Sequence, residues 1–422
     1  MRKPQTFLQI FFLVIVLLLT SSSVLFSSIA HGATAIPDHV TLTWADDPRT
    51  TQTITWRTGV TTVGGQVEYA EVANTHSFLN NARVAAAGIA GLKTNLGDMA
   101  IHSVTLTGLK SGTRYVYRVG GPGCWSEPRI FTTASAAISG FKFLVFGDSQ
   151  SINYDVWKST IRNAYQAHPE AAFFANVGDL VDVGQDYNEW NNWFSAARGV
   201  IDTIPAMPIT GNHETYTLER QFSMPVFFTA QFNLPPNGPE RLKGQVYSFD
   251  YGDAHFVMLD SQAGEQAKFV PGMLSEQRIW LEKDLRMTNK KWKIAFIHRP
   301  LYNNKNTEAN ENIERVFRPL FDQYHVDVVF TGHDHVYSRT YPLRDGVRTD
   351  TSEKGTVYVA SGRSGTKTYR NTISKDWNEF FYSPVDEPNY ITVEVMGDVL
   401  TVKSFKQSGT LIDAWVIRKA TK

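Results

Sequence analysis

The sequence predicts an α+β protein in two parts. An all-β sandwich is expected over residues 36–134, followed over residues 141–422 by mixed sheets packed together and flanked by helices. Three observations support this. The chain has 422 residues, more than one core usually serves, so two domains are expected. The first part carries short runs of alternating polar and apolar side chains punctuated by glycine-rich turns. From residue 141 apolar runs alternate instead with longer amphipathic segments, the pattern of sheets covered by helices.

In the sandwich, Val40–Trp44, Thr51–Trp56, Gln66–Tyr69 and Arg114–Val119 alternate polar and apolar residues. Gly64-Gly65, Lys110-Ser111-Gly112 and Gly120-Gly121-Pro122-Gly123 separate them. The run Leu106–Val119 resembles a fibronectin type III strand, and Phe131-Thr132-Thr133 resembles its last one, so residues 36–134 read as fibronectin type III-like. Trp44, Trp56 and Trp125 are assigned to the core. The small, polar stretch Ala134–Gly140 is the expected linker.

Beyond it, Phe141–Phe146 is a buried strand and Tyr154–His168 a helix with Val156, Ile161 and Tyr165 among its apolar positions. Ala171–Val177 is a strand, Glu189–Ala197 a Trp-rich helix, and Ile204–Thr210, Gln245–Asp250 and Ala254–Leu259 are strands. Leu274–Met287 is the clearest helix, with Leu274, Ile279, Leu281 and Leu285 as its apolar positions and Lys290-Lys291 beyond its end. Strand Trp292–Ile297 leads into His298, and helix Asn310–Tyr324 precedes strand Val326–Thr331. Val357–Ala360, Tyr390–Val395, Val399–Phe405 and Leu411–Arg418 are β.

Residues 1–32 are excluded from the fold. Arg2 and Lys3 precede an apolar stretch, Phe7–Leu19, broken by Gln9; serines and small residues then lead to Ala30-His31-Gly32-Ala33-Thr34-Ala35. That is the layout of a signal peptide cleaved after Gly32 or Ala35, predicting a secreted or extracytoplasmic protein with no membrane span after cleavage. The alternative is an uncleaved anchor, against which the serines shorten the apolar core below the ~20 residues a span needs. Basic and acidic residues balance at 41 each, and removing Arg2 and Lys3 leaves a net charge near −2, so no nucleic-acid partner is expected. Cys124 is the only cysteine, which excludes an internal disulfide and a cysteine zinc site; a small packed side chain or a surface thiol is expected. Oligomeric state leaves no signal in the sequence.

Five polar motifs follow strand-like runs: Gly147-Asp148-Ser149-Gln150, Gly178-Asp179-Leu180-Val181-Asp182, Gly211-Asn212-His213-Glu214, His298-Arg299-Pro300 and Gly332-His333-Asp334-His335. Loops at strand ends are where a rigid sheet can hold ligands from distant parts of a chain. Glycine allows tight turns beside a crowded site. Each motif alone is weak, since an Asp after a strand is usually a helix cap. Together they supply carboxylate, amide and imidazole ligands for two metal ions. His333 and His335, read as alternate positions of a strand, would project to one side and reach adjacent metals.

In this order the motifs resemble those of the calcineurin-like metallophosphoesterases. The preceding sandwich, with His298-Arg299-Pro300-Leu301-Tyr302 and His335-Val336-Tyr337-Ser338-Arg339, makes the chain most similar to the purple acid phosphatase branch. The resemblance implies a four-layer αββα domain and an acid phosphatase-like hydrolase. It implies that Asp148 and His335 bind the first metal, that Asp179 bridges, and that Asn212, His298 and His333 bind the second. The ligands suit two divalent or mixed-valence transition metals, Fe, Mn or Zn, better than calcium.

Two departures stand out. Where the purple enzymes carry the tyrosine that colours ferric iron, this chain has Asp182, so it should not be purple; where other metallophosphoesterases carry a histidine, it has Gln150. Gln150 could coordinate, Asp182 could substitute, or water could fill the gap. His213 is placed to protonate the leaving oxygen or bind a phosphoryl oxygen, with Glu214 either orienting it or lying on the surface. Arg299 and Arg339 are candidate phosphate contacts or ion-pair partners. Two metals ~3.5–4 Å apart imply a bridging hydroxide that attacks the phosphorus of a small monoester. A phosphodiesterase or nucleotidase on the same centre, or a binding module with a decayed site, are the alternatives. Phe222–Gly244 and Ser361–Phe381 are expected to border the site.

Overall fold

The computed structural model describes residues 32–62, 64–72, 81–305, 311–351 and 354–420, so the expected signal peptide, Gly32 apart, lies outside the described residues. Among these residues no helix is long and apolar enough to cross a membrane. The alternating runs of the first part become two sheets. One orders Asp38–Thr43, Gln52–Gly59, Gly97–Leu106 and Gly88–Thr94; the other orders Arg83–Ala86, Gln66–Glu71 and Arg114–Gly121, which also pairs Cys124–Trp125 and Arg129–Thr132. Leu42, Ile54, Trp56, Val67, Tyr115, Tyr117 and Phe131 fill the space between them. The stretch Leu106–Val119, read as one strand, is the end of one strand, a turn and the start of the next. Trp125 is half-buried under the Arg118 guanidinium, 4.2 Å from its ring, rather than in the core. Half-buried Cys124 is a free thiol.

The sandwich is held to the rest of the chain by specific bonds. Leu42 N donates to Ile201 O at 3.0 Å, Tyr117 Oη to Asp202 O at 2.8 Å, and Arg129 pairs with Asp202 at 2.7 Å. Trp44 leaves the sandwich core to stack on Tyr251, with ring centres 5.3 Å apart.

In the second part, period-two alternation sorts side chains into layers. A five-stranded sheet runs Phe174–Asn176, Gly140–Phe146, Asn389–Met396, Val399–Lys406, Leu411–Arg418. A seven-stranded sheet runs Tyr247–Tyr251, Ala254–Leu259, Trp292–Ile297, Val328–Thr331, Val357–Ser361, Tyr337–Thr340, Asn378–Tyr382. Phe143 meets Phe256 of the other sheet edge-on at 5.4 Å, whereas Phe146 meets Trp157 of helix Asp155–Ala167 at 5.1 Å. Val257, Leu259, Ala295, Ile297 and Val329 turn the other way, onto Leu281, Leu285, Phe317 and Phe321 of helices Met273–Met287 and Glu311–Tyr324. Helix, sheet, sheet, helix is the expected αββα order. Each such fully buried side chain contributes about 1.5–3 kcal/mol.

Three local expectations are corrected. Ile204–Thr210 is not a strand: Pro205 and Pro208 lack the N–H that a ladder needs, and only a bridge between Phe174 and Ala206 forms. On helix Met273–Met287 the buried stripe is Met273, Gln277, Leu281 and Leu285, while Ile279 is 67 % exposed. Gln277 belongs to it because its amide pairs both backbone groups of Asp260, at 2.9 and 2.8 Å. Strand Val326–Thr331 begins at Val328, after buried Asp327 has taken the Lys293 N–H at 2.8 Å.

Buried His255 lies between two carboxylates, its ring nitrogens 2.7 Å from Asp250 Oδ1 and 2.7 Å from Asp284 Oδ2. Burial opposes its charge, yet the two carboxylates raise it from 6.5 to about 9. A raised histidine contributes stability that is complete below its unfolded value and is lost as pH climbs through its folded one. His255→Gln is therefore expected to reduce stability by about 2–3 kcal/mol at pH 6 and by far less near pH 10. Urea unfolding at both pH values checks this; an equal loss at both would show that His255 acts through packing alone.

Candidate metal centre

Four of the motifs sit where parallel strands end. Asp148 follows Gly140–Phe146, Asp179 follows Phe174–Asn176, His298 follows Trp292–Ile297, and His333 follows Val328–Thr331. Asn212 reaches the same place from the loop after Ile209, whose N–H bonds Asn176 O at 3.0 Å. Asp179 (φ 53°), His333 (φ 68°) and His335 (φ 55°) all hold left-handed backbone. That conformation costs about 1–3 kcal/mol per residue and persists where surrounding contacts impose it. His333 and His335 are thus not alternate strand positions: the loop turns between them, and each histidine faces a different group. Gly178 (φ 93°) has no room for a side chain, since a Cβ would lie 2.7 Å from His298 Nδ1. At Gly211 a Cβ would lie 2.2 Å from Asp179 Oδ1.

The structure brings all six candidate ligands together. Asp179, His298 and His333 form one buried group able to hold a cation; Asp148, Asp179 and His335 form a second, so Asp179 belongs to both. Asn212 Oδ1 joins the first, 3.2 Å from His298 Nε2 and 3.0 Å from His333 Nδ1.

The donor set fits metal. His298 Nδ1 donates to Val177 O and His335 Nδ1 to Lys367 O, each at 2.8 Å. With those protons placed, the Nε2 lone pairs are turned inward. His298 Nε2 stands 3.3 Å from Asp179 Oδ2. His335 Nε2 stands 2.8 Å from Asp148 Oδ2, outside hydrogen-bonding geometry, with no other bonding partner. Lone pairs facing carboxylate oxygens in a buried space call for a cation between them. Burial would keep His298 neutral, but Asp179 and Asp148 raise it to about 9, which measures the pull of two carboxylates on any cation, proton or metal, at Nε2. Burial also opposes the Asp179 charge, yet His298 and His213 hold that carboxyl well below the usual range.

The remaining candidates are placed as follows. Gln150 is buried, its Nε2 3.3 Å from Asp179 Oδ2 and its Oε1 without a hydrogen-bond partner. Asp182 joins neither group. Its half-exposed carboxylate pairs with Arg220 at 2.5 Å and Lys367 at 3.2 Å. His213 Nδ1 donates to Asp182 O at 2.7 Å, leaving Nε2 2.9 Å from Lys367 Nζ and 3.9 Å from Asp179 Oδ2.

Glu214 neither orients His213 nor lies on the surface. It is fully buried, and its oxygens accept the N–H groups of Asp179 (2.9 Å), Leu180 (2.7 Å) and Gly211 (2.6 Å). Burial and the Asp179 charge push its carboxyl up to about 8. Arg299 pairs with Glu265 at 2.6 Å and steadies His333 Nε2 at 3.2 Å. Of its two expected roles Arg339 takes that of an ion-pair partner rather than a phosphate contact, pairing with Glu379 and with Asp413 at 3.0 Å beneath Trp415. Its acidic partners lie on strands Asn378–Tyr382 and Leu411–Arg418, contacts invisible in the local sequence.

Of the two segments expected to border the site, Ser361–Phe381 supplies Lys367 and also Tyr369, whose ring lies 4.5 Å from that of His335. In Phe222–Gly244, Phe222 stacks on Tyr216 at 5.5 Å, whereas the Asn233 carbonyl accepts from Thr43 of the sandwich at 2.6 Å. Lys367 was missed. The signal was there, since it follows a strand and the glycine-rich turn Ser361-Gly362-Arg363-Ser364-Gly365, as the motifs do. A groove of about 870 Å³ lined by Asp46, Asp250, His255 and Lys290 among others includes none of these residues, so cavity size does not mark the centre.

Residues 37–133 match the family described as purple acid phosphatase, N-terminal domain, and residues 141–337 match calcineurin-like phosphoesterase. Acid phosphatase type 7 of Mus musculus is 26 % identical over 349 residues, covering 75 % of this chain and 77 % of its own. Purple acid phosphatase 18 of Arabidopsis thaliana is 25 % identical over 340 residues, covering 79 % and 72 %. The solved purple acid phosphatase PPD1 of yellow lupin seeds superposes with a TM-score of 0.75 at 21 % identity, over 91 % of this chain and 74 % of that one, a likeness of fold.

Fold and site together define a calcineurin-like metallophosphoesterase, a metal-dependent hydrolase of phosphate esters. More particularly, the chain belongs with the purple acid phosphatase-like enzymes that carry the N-terminal domain.

Proposed function

We propose that the protein is an exported phosphomonoesterase with a dinuclear centre of Fe, Mn or Zn. The carrying observation is the pair of buried ligand groups that share Asp179. Asp148 and His335 would hold one cation, Asn212, His298 and His333 the other, and Asp179 both. Gln150 would turn its unpartnered Oε1 toward the first site, since amide oxygen and nitrogen are assigned by their network. Export rests on the sequence of the first 32 residues. When bound, the cations would supply Lewis-acid charge at the phosphoryl group and acidify the attacking water.

The chain's own residues do the rest. Glu214 fixes the loop that carries Asp179, and Arg299 fixes His333. His213 has committed Nδ1 to the Asp182 carbonyl, so Nε2 is its working atom: as the imidazolium it passes the Nε2 proton to the leaving oxygen and is left neutral with its Nδ1–H in place.

His213→Ala is expected to keep both metals and to lower kcat by about 10²–10⁴-fold on an ester with a poor leaving group. Elemental analysis, with kcat/KM measured in parallel on an aryl monoester and an aryl diester, tests the reading. Two metals per chain and a preference for the monoester support it. One metal per chain, or a preference for the diester, would overturn it; full turnover by the His213 variant would remove the proton-donor role.

A further inference from the structure

We propose that Lys367 is a specificity-determining residue, its ammonium taking a phosphoryl oxygen that the ligand cluster leaves free and so favouring dianionic monoesters over diesters. The inference rests on the phosphomonoesterase reading above.

The backbone of Lys367 is tied to the centre, because its carbonyl receives the His335 Nδ1 proton at 2.8 Å. Its side chain runs back toward the second and third motifs, with Nζ 2.9 Å from His213 Nε2 and 3.2 Å from Asp182 Oδ1. His213 Nε2 is itself 3.9 Å from Asp179 Oδ2, the carboxylate shared by both ligand groups. The ammonium therefore stands on the His213 side of the centre, with that one imidazole nitrogen between it and the shared carboxylate.

Asp182 explains why the cation is there. At the position where the sequence departs from the purple pattern, an acidic side chain anchors Lys367 from one side while Arg220 neutralises it from the other. Lys367 is about one-third exposed, so it is accessible to a ligand. An imidazole nitrogen is a weaker partner for an ammonium than a charged phosphoryl oxygen, so an arriving phosphate draws Nζ off His213. A monoester dianion offers that oxygen. A diester carries one charge fewer and sets a second organic group where the ammonium needs an anion, so Nζ keeps its partners His213 and Asp182 and gains little from the substrate.

The test compares Lys367→Met and Lys367→Arg with wild type, each checked for metal content. Steady-state kinetics on an aryl monoester and an aryl diester are combined with calorimetric binding of inorganic phosphate. Lys367→Met is expected to bind metal normally, to lose about 10–10²-fold in monoester kcat/KM and in phosphate affinity, and to change least on the diester. Lys367→Arg, keeping the charge, should recover most of the phosphate affinity. Equal losses on both esters, unchanged phosphate affinity in the Met variant, or an Arg variant as impaired as Met would overturn the assignment. A wild-type preference for the diester would instead defeat the monoesterase reading, and the phosphate titration would still score Lys367 separately.

Discussion

Asp179→Asn is expected to abolish phosphate-ester hydrolysis and metal retention together. The residue lies in both ligand groups, so its carboxylate is the one charge that two cations would share. Its other contacts concentrate the effect. Oδ1 already accepts the His213 N–H at 2.9 Å, and Oδ2 lies 3.3 Å from His298 Nε2. An amide in that place loses the negative charge and can turn an N–H₂ toward a nitrogen that must stay a lone-pair donor. A single electrostatic contact is worth about 10²–10³ in rate, and losing the metals removes more than one, so a fall of at least about 10³-fold is expected. Metal per chain and kcat/KM, measured on one preparation, check this. An Asn variant that kept its full metal content with ordinary turnover would remove Asp179 from the bridging role.

Glu214→Ala should show the second largest effect, through the backbone rather than through ligation. The side chain never faces the ligand groups. It gathers the N–H groups of Asp179, Leu180 and Gly211, drawing the second motif and the third into one rigid unit. Removing it leaves those buried amides unpaired beside a residue already in a left-handed conformation. A loss of about 3–5 kcal/mol in stability and about 10–100-fold in metal affinity is expected. Glu214→Gln, which keeps one accepting oxygen, should fall between. Thermal unfolding with and without added metal, together with metal titration, measures both. Affinity unchanged while stability drops would confine Glu214 to folding.

The six candidate ligands were legible because each carries its own chemistry and stands next to a marker, an apolar strand end with glycine or an imidazole pair. The layers were legible for a related reason: Val257 and Met258 face opposite ways by alternation alone. The misreadings share a different cause. Arg339 follows the last motif closely, yet Glu379 and Asp413, from strands 40 and 74 residues further on, claim its guanidinium. Ile279 fits the helical stripe, but Gln277 is buried because Asp260 needs its amide. Neither partner can be found from the local pattern.

From the order of its residues alone, then, the chain committed itself to a β-sandwich, an αββα core and a set of residue types able to bind metal, since periodicity and side-chain chemistry act locally. Only the folded chain decided that Asp182 would anchor a cation, that Glu214 would clamp two loops, and that Lys367 would stand beside His213. Those roles arise from separate loops meeting across the carboxyl ends of the strands, where Lys367 and Asp182, 185 residues apart in sequence, come within 3.2 Å.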